Sequence, residues 1–240
     1  MSVFASMGPM AKSKPTDSTP MRFAVLATDI ALFTVRNGEL LVRLISVKRP
    51  PHFPDNIGLP GGLLAATETA KEAAVRHLET KTGIDPKKVY LEQLYTFSRV
   101  ERDPRGRVVA VAYLALAPWE GLSPAEQAGD GESWWARLSD AKKLAYDHDE
   151  ILSVALERLR SRIKYTTLGS KLMPKEFTLT ELERTYESVL KKDLDKRNFR
   201  KKILKAGALT ELPRKKSGGR FRPAQLYRFA SLEVKGAEVL

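Results

Sequence analysis

The stretch that most constrains this chain runs from Gly58 to Ile84, GLPGGLLAATETAKEAAVRHLETKTGI. Leu59-Pro60-Gly61-Gly62 is a turn, because Pro and paired Gly break both periodic structures. Directly after it, Ala70, Ala73, Ala74 and Leu78 recur at helical spacing and predict a helix over 69–82. The flanks supply a sheet for that helix. From Phe23, two apolar, β-branched runs are separated by Arg36-Asn37-Gly38, and Asn-Gly between such runs signals a hairpin. Residues 56–62 read as a turn-rich loop, 89–98 and 108–117 as strands, and 103–107 as a loop between them. Residues 119–133 read as loop, with Trp134 and Trp135 preceding a short helical patch. From Asp149, Ile151, Leu152, Leu156, Leu159 and Ile163 predict another helix. Strands interleaved with helices predict an α/β layered domain over 21–163, after a polar, proline-punctuated lead at 1–20 read as disordered and not secretory.

Charge divides the chain at the same place. Residues 161–240 hold 20 Lys and Arg against 9 Asp and Glu, so they carry +11 of the net +12. A near-neutral domain joined to a basic one predicts a polyanionic partner for the second. The 240 residues contain no Cys, which excludes a disulfide scaffold, thiolate-held clusters and a Cys nucleophile. Three His argue against a His-rich metal site. No apolar run reaches the roughly 18 residues of a membrane span.

The basic third has an order of its own. Thr178–Leu190 reads as a helix with Leu182, Tyr186 and Val189 as its stripe and a Thr180/Glu183 capping box. Asp195 is placed to cap a second helix, Lys196–Ala206, with Phe199, Ile203 and Ala206 on one face, Leu204 off the pattern and Gly207 as terminator. Then come a strand around ALTEL, a basic glycine loop from Pro213 to Arg222, and a strand at Gln225–Phe229. Helix, turn, basic helix, strand, basic loop, strand is the order of a winged helix-turn-helix over 164–240. Its second helix would enter a major groove. The candidate DNA contacts are Lys196, Arg197, Asn198, Arg200, Lys201 and Lys205 on the helix and Arg214, Lys215, Lys216 and Arg220 on the wing. Arg197 and Arg200 are the candidates for base reading, since Arg matches the paired acceptors of guanine.

The loop–helix stretch resembles the Nudix box: Gly, five residues, Glu, seven residues, Arg-Glu-apolar-any-Glu-Glu-any-Gly-apolar. Gly62, Glu68, Arg76, Leu78, Gly83 and Ile84 stand at its spacing. The resemblance implies a Nudix α/β/α sandwich with a mixed sheet, ahead of the winged helix. Nudix hydrolases hold Mg²⁺ or Mn²⁺ with glutamates on this helix. Here His77, Thr80 and Lys81 stand in their places, and Glu79 occupies a free position. Hard divalent cations need several carboxylate oxygens, and water needs the metal to attack a diphosphate. The expectation is a Nudix fold without catalytic residues, resident metal or required cofactor.

A degraded Nudix box followed by a basic winged helix is similar to the Nudix-related transcriptional regulators of NAD metabolism, the NrtR family. Tyr95-Thr96-Phe97, Arg102–Arg107 with Ala112-Tyr113, and Ala145–His148 look like that family too. The resemblance implies a bacterial, cytoplasmic, nucleoid-associated homodimer. It would bind palindromic operators, repress genes of NAD synthesis and salvage, and release DNA on binding ADP-ribose. Carried over by position, the effector pocket involves Arg49, Pro60, Gly61, Gly62, Glu68, Arg76 and Glu79. Phe53 reads either as a stacking partner for adenine or as a core or loop residue, and Asp147-His148 as a helix start. Two other readings stay open: an active pyrophosphohydrolase of ADP-ribose-like substrates with an accessory basic domain, and a module that binds RNA or a protein partner.

Overall fold

Alternation along one strand sets the layers of the first domain. The computed structural model describes residues 23–217, 223–237 and 239–240; the lead at 1–20 and Gly218, Gly219 and Arg220 of the expected wing lie outside them. β1 (Val25–Arg36) sends Ile30 and Leu32 to one face of the sheet and Ala31, Phe33 and Val35 to the other, as the two-residue period of a strand requires. β2 (Glu39–Arg49) returns antiparallel through the expected Asn37-Gly38 turn, with Arg36 opposite Glu39. β3 (Phe53–Gly58) and β4 (Gly61–Leu63) pair with β2 and β1. α1 (Ala70–Thr82) then covers the Ile30 and Leu32 face with Ala74 and Leu78.

β5 (Tyr90–Phe97) and β6 (Val108–Leu116) extend the sheet, β6 running parallel to β1 and every other pairing antiparallel. After α2 (Pro124–Ala128), β7 (Ser133–Arg137) pairs with β2. α3 (His148–Arg162) packs Ile151, Leu152, Ala155 and Leu159 on the second face. A seven-stranded mixed sheet between helices is the expected sandwich.

Three local expectations are corrected. The loop at 56–62 is largely strand, because Ser46 and Val47 of β2 pair with Ile57 and Asn56. Residues 119–133 include α2, whose Ser123/Glu126 capping box closes both ways. Trp134 and Trp135 lie within β7 rather than ahead of a helical patch. Both latter segments are held by Arg43, a fully buried strand residue that donates to Ser133 Oγ (2.7 Å), Glu126 O (3.1 Å) and Thr82 O (3.0 Å). A buried guanidinium needs such acceptors.

The second domain holds β8 (Phe177–Thr178), α4 (Leu179–Leu190), α5 (Lys196–Lys205), β9 (Leu209–Lys216) and β10 (Ala224–Phe229), with the strands ordered β8-β10-β9. The capping box of α4 is Thr178 with Glu181, not Thr180 with Glu183. Thr178 has the extended backbone a cap needs, while Glu183 is 2% exposed inside the domain. Arg214, Lys215 and Lys216 belong to β9, so the wing strand is longer than expected and its loop shorter.

The expected division after residue 163 falls at Ile163, the C-cap of α3. The core does not divide there. Leu159, Ile163, Leu168, Leu182, Tyr186, Val189 and Phe199 share one apolar cluster with the α3 face of the sheet. Arg160 Nε donates to Val189 O across the two domains (3.0 Å). The end of the chain straps the linker: Val239 N–H donates to Lys164 O (3.0 Å), and its side chain is fully buried.

Candidate ligand pocket and nucleic-acid interface

A cavity of about 430 Å³ opens where the end of β2, β4, the last turn of α1 and the 102–105 loop meet. Its glycine wall follows from close approach. A Cβ on Gly61 would lie 2.3 Å from Thr28 O, and one on Gly62 would lie 2.6 Å from the His77 ring. The helix behind them starts with a Thr69/Glu72 capping box and ends at Gly83, whose left-handed conformation directs its N–H to Glu79 O. Those two ends fix which α1 side chains face the cavity.

The pocket residues expected from sequence separate into two groups. Arg49, Gly61 and Gly62 line the cavity. Pro60, Glu68, Arg76 and Glu79 do not. Pro60 is buried, with its carbonyl accepting from Ile30 N–H (2.8 Å). Glu68 and Arg76 pair with each other through two hydrogen bonds, and Arg76 also donates to Leu63 O (3.2 Å). This pair braces the glycine strand from outside. The hydrogen bonds from Arg76 and Ala65 N–H hold the Glu68 carboxyl down at about 2. Glu79 is exposed.

At the three box positions that depart from Glu, the side chains have other occupations. His77 packs under Gly62 with Nε2 3.1 Å from Leu63 O, and burial lowers its pKa. Thr80 Oγ1 donates back to Arg76 O (2.7 Å). Lys81 lines the cavity. Among the described residues no group of three or more His, Asp or Glu is placed to hold a metal ion.

The floor is a buried polar cluster assembled from four segments. Arg102 donates to Asp147 (2.5 and 2.8 Å) and to Asp29 Oδ2 (3.0 Å). His148 accepts from Leu59 N–H at Nδ1 (2.9 Å), with Nε2 3.3 Å from Asp29 Oδ1. Burial pushes the Asp29 pKa up, but His148 and Arg102 outweigh it and hold the carboxyl below the usual range. Asp147 stands at the N-cap of α3 without making a capping bond, because its carboxylate serves Arg102. Phe53 packs against Tyr146 with the rings tilted by 52° (centroids 4.4 Å apart), and only Tyr146 of the two lines the cavity.

A wider groove of about 960 Å³ lies between the Asn37-Gly38 turn and the ends of α3 and α4. None of its polar side chains is buried, so it is solvated surface rather than a dry site.

On the basic domain, Asp195 caps α5 by accepting from Asn198 N–H (2.7 Å), and Phe199 and Ile203 point inward. Lys196, Arg197, Asn198, Lys201 and Lys205 are exposed. Arg200 is turned back instead: it donates to Thr180 Oγ1 (3.0 Å) and lies 3.6 Å from Glu183. All three wing-strand cations are exposed; Arg214 pairs with Glu176 and Lys216 with Glu181 (2.6 Å), whereas Lys215 makes no ion pair among the described residues. Local spacing does not show this row of glutamates or which cation each faces. Arg220 lies outside the described residues. No described helix is long and apolar enough to cross a membrane.

Comparison with known proteins matches both halves. Residues 25–155 match the NUDIX domain and residues 169–229 the NrtR DNA-binding winged helix domain. The chain is 39% identical to the ADPR responsive transcriptional repressor NtrR of Acinetobacter baylyi, over 86% of this chain and 82% of that one. It is 34% identical to an ADP-ribose pyrophosphatase of Methanocaldococcus jannaschii over 46% of this chain and 63% of that protein. Among solved structures it is similar to Shewanella oneidensis NrtR complexed with a 27mer DNA. The TM-score is 0.73 at 31% identity, covering 85% of this chain and 93% of that one.

Proposed function

This chain belongs to the NrtR family of transcriptional regulators, and on that footing we propose that it is a repressor released from DNA by ADP-ribose. The observation that carries the reading is the single apolar core joining the cavity-bearing domain to the helix with exposed cations. A ligand that shifts the first domain acts on the second through packed side chains. The cavity takes ADP-ribose, with Arg49 and the Gly61-Gly62 wall beside the diphosphate. Lys196, Arg197, Asn198, Lys201, Lys205 and Lys215 face operator DNA. The targets are genes of NAD synthesis and salvage, and the site of action is the cytoplasm. One chain carries one reading helix, so a palindrome with half-sites roughly 34–36 Å apart is read by a homodimer.

The bound nucleotide is not hydrolysed. The residues at 77, 80 and 81 do not fit a hard divalent cation: an imidazole packed under a glycine, a hydroxyl bonded to its own helix, and an ammonium. Both Glu68 oxygens are already engaged.

The test is a gel shift on DNA upstream of NAD genes, with and without ADP-ribose, alongside an assay for AMP with Mg²⁺ or Mn²⁺. The expected result is retarded DNA, released with an affinity loss of about 5- to 150-fold, and no AMP. AMP formation on the order of 1–10³ per second would restore the hydrolase reading. Retardation indifferent to ADP-ribose would remove the switch.

A further inference from the structure

The misfit between this helix and a metal ion leaves the diphosphate charge to be met in another way. We infer that the Lys81 ammonium, together with Arg49, takes the place of a divalent cation against the diphosphate, so that nucleotide binding needs no metal. The inference deepens the effector reading above and rests on it.

Charge pairing around the cavity singles out these two residues. Five cationic side chains line it: Lys48, Arg49, Lys81, Arg102 and Arg105. Lys48 pairs with Glu132 (2.7 Å), Arg105 with Asp103 (2.7 Å), and Arg102 with Asp29 and Asp147. These partners include all three lining carboxylates: Asp29, Asp103 and Glu132. Among the described residues neither Arg49 nor Lys81 has a carboxylate partner, and the Arg49 guanidinium donates only to Lys48 O (2.9 Å). The wall therefore presents two uncompensated positive charges, and a diphosphate diester brings one negative charge on each phosphate.

Lys81 also suits its position. It lies in the last turn of α1, where the helix end favours a cation. A lysine meets phosphate as a mobile point charge and needs no fixed geometry. The box glutamate it replaces would repel the nucleotide unless a metal stood between them.

The experiment is calorimetry of ADP-ribose on the full chain, in EDTA and in Mg²⁺. Wild type is expected to bind equally in both. Lys81→Met keeps the apolar stem, removes the charge and is expected to bind about 10- to 100-fold more weakly, as for loss of a charge-assisted hydrogen bond. Lys81→Arg restores the charge and is expected to bind within about threefold of wild type, which a packing role would not predict. Lys71→Met, on the first turn of the same helix and outside the cavity lining, is expected to leave affinity unchanged. A tenfold loss in EDTA, or a Lys81→Met variant that binds like wild type, overturns the inference while ADP-ribose remains the effector. Wild-type protein that binds no ADP-ribose in either buffer overturns the effector reading and this inference together.

Discussion

Arg102→Leu is expected to destabilise the chain by roughly 3–5 kcal/mol, the range for removing one partner from a buried ion cluster. That is a large share of the 5–15 kcal/mol, or about that, which holds a typical domain folded. The Arg102 side chain is 3% exposed and is the cation that joins Asp29 to Asp147. Leucine leaves both buried carboxylates without the guanidinium, Asp29 keeping only His148 beside it and Asp147 losing its ion pair. Urea unfolding at neutral pH measures the loss, and a change below about 1 kcal/mol would mean that water enters and replaces the guanidinium. The pH dependence identifies the cause. In wild type the folded pKa of Asp29 is lowered, so its contribution is complete above the unfolded value of roughly 3.9 and is lost as pH falls through the folded value. In the variant, burial and the Asp147 charge act with less opposition and push that pKa upward. Its deficit is therefore greatest at neutral pH and narrows as acid protonates Asp29. A deficit constant from neutral pH to pH 4 would place the effect in packing instead.

Arg197→Glu with Lys201→Glu is expected to weaken operator binding more than about 100-fold at physiological salt, with folding and ADP-ribose affinity unchanged. Both side chains are exposed on α5 and point away from Phe199 and Ile203. The alanine versions sharpen the test. Each phosphate contact contributes about −0.9 to the slope of log K against log salt, so Lys201→Ala flattens it by about one unit. An unchanged slope would place the phosphate contacts elsewhere. Arg197→Ala should also relax base discrimination if Arg197 meets guanine. Arg200→Ala behaves differently, because Arg200 is held by Thr180 beside Glu183. It is expected to reduce stability while leaving discrimination between sequences intact, and equal relaxation by both alanine variants would return Arg200 to the groove.

The Arg197 and Arg200 pair shows where sequence reasoning stops. Both are cations on one basic helix, and the inward period of Phe199 and Ile203 is visible in the chain, but nothing local says that Thr180 and Glu183 wait beneath Arg200. The winged domain is legible in short-range signals: the Asp195 cap, the Gly207 stop and the excess of Lys and Arg. The same holds for the box. Leu78 and Ile84 are buried, and Gly83 ends α1, because each role is set within a turn of helix. Spacing alone cannot choose between Thr178/Glu181 and Thr180/Glu183, because T-x-x-E occurs twice here, and only the extended backbone of Thr178 selects the first.

What the chain determined by itself was periodicity, caps, turns and net charge, which depend on neighbours a few residues apart. The pocket floor depends on contacts the linear order does not reveal. Asp29 meets Arg102 across 73 residues, and Arg102 meets Asp147 across 45. Strand pairing made β3 and β7 out of segments with weak signals of their own. Tertiary packing likewise decided which lysines and arginines are neutralised by a carboxylate and which remain available to an anion. A charge is written in the sequence, but its partner is chosen only when the sheet and helices bring distant side chains within hydrogen-bonding distance.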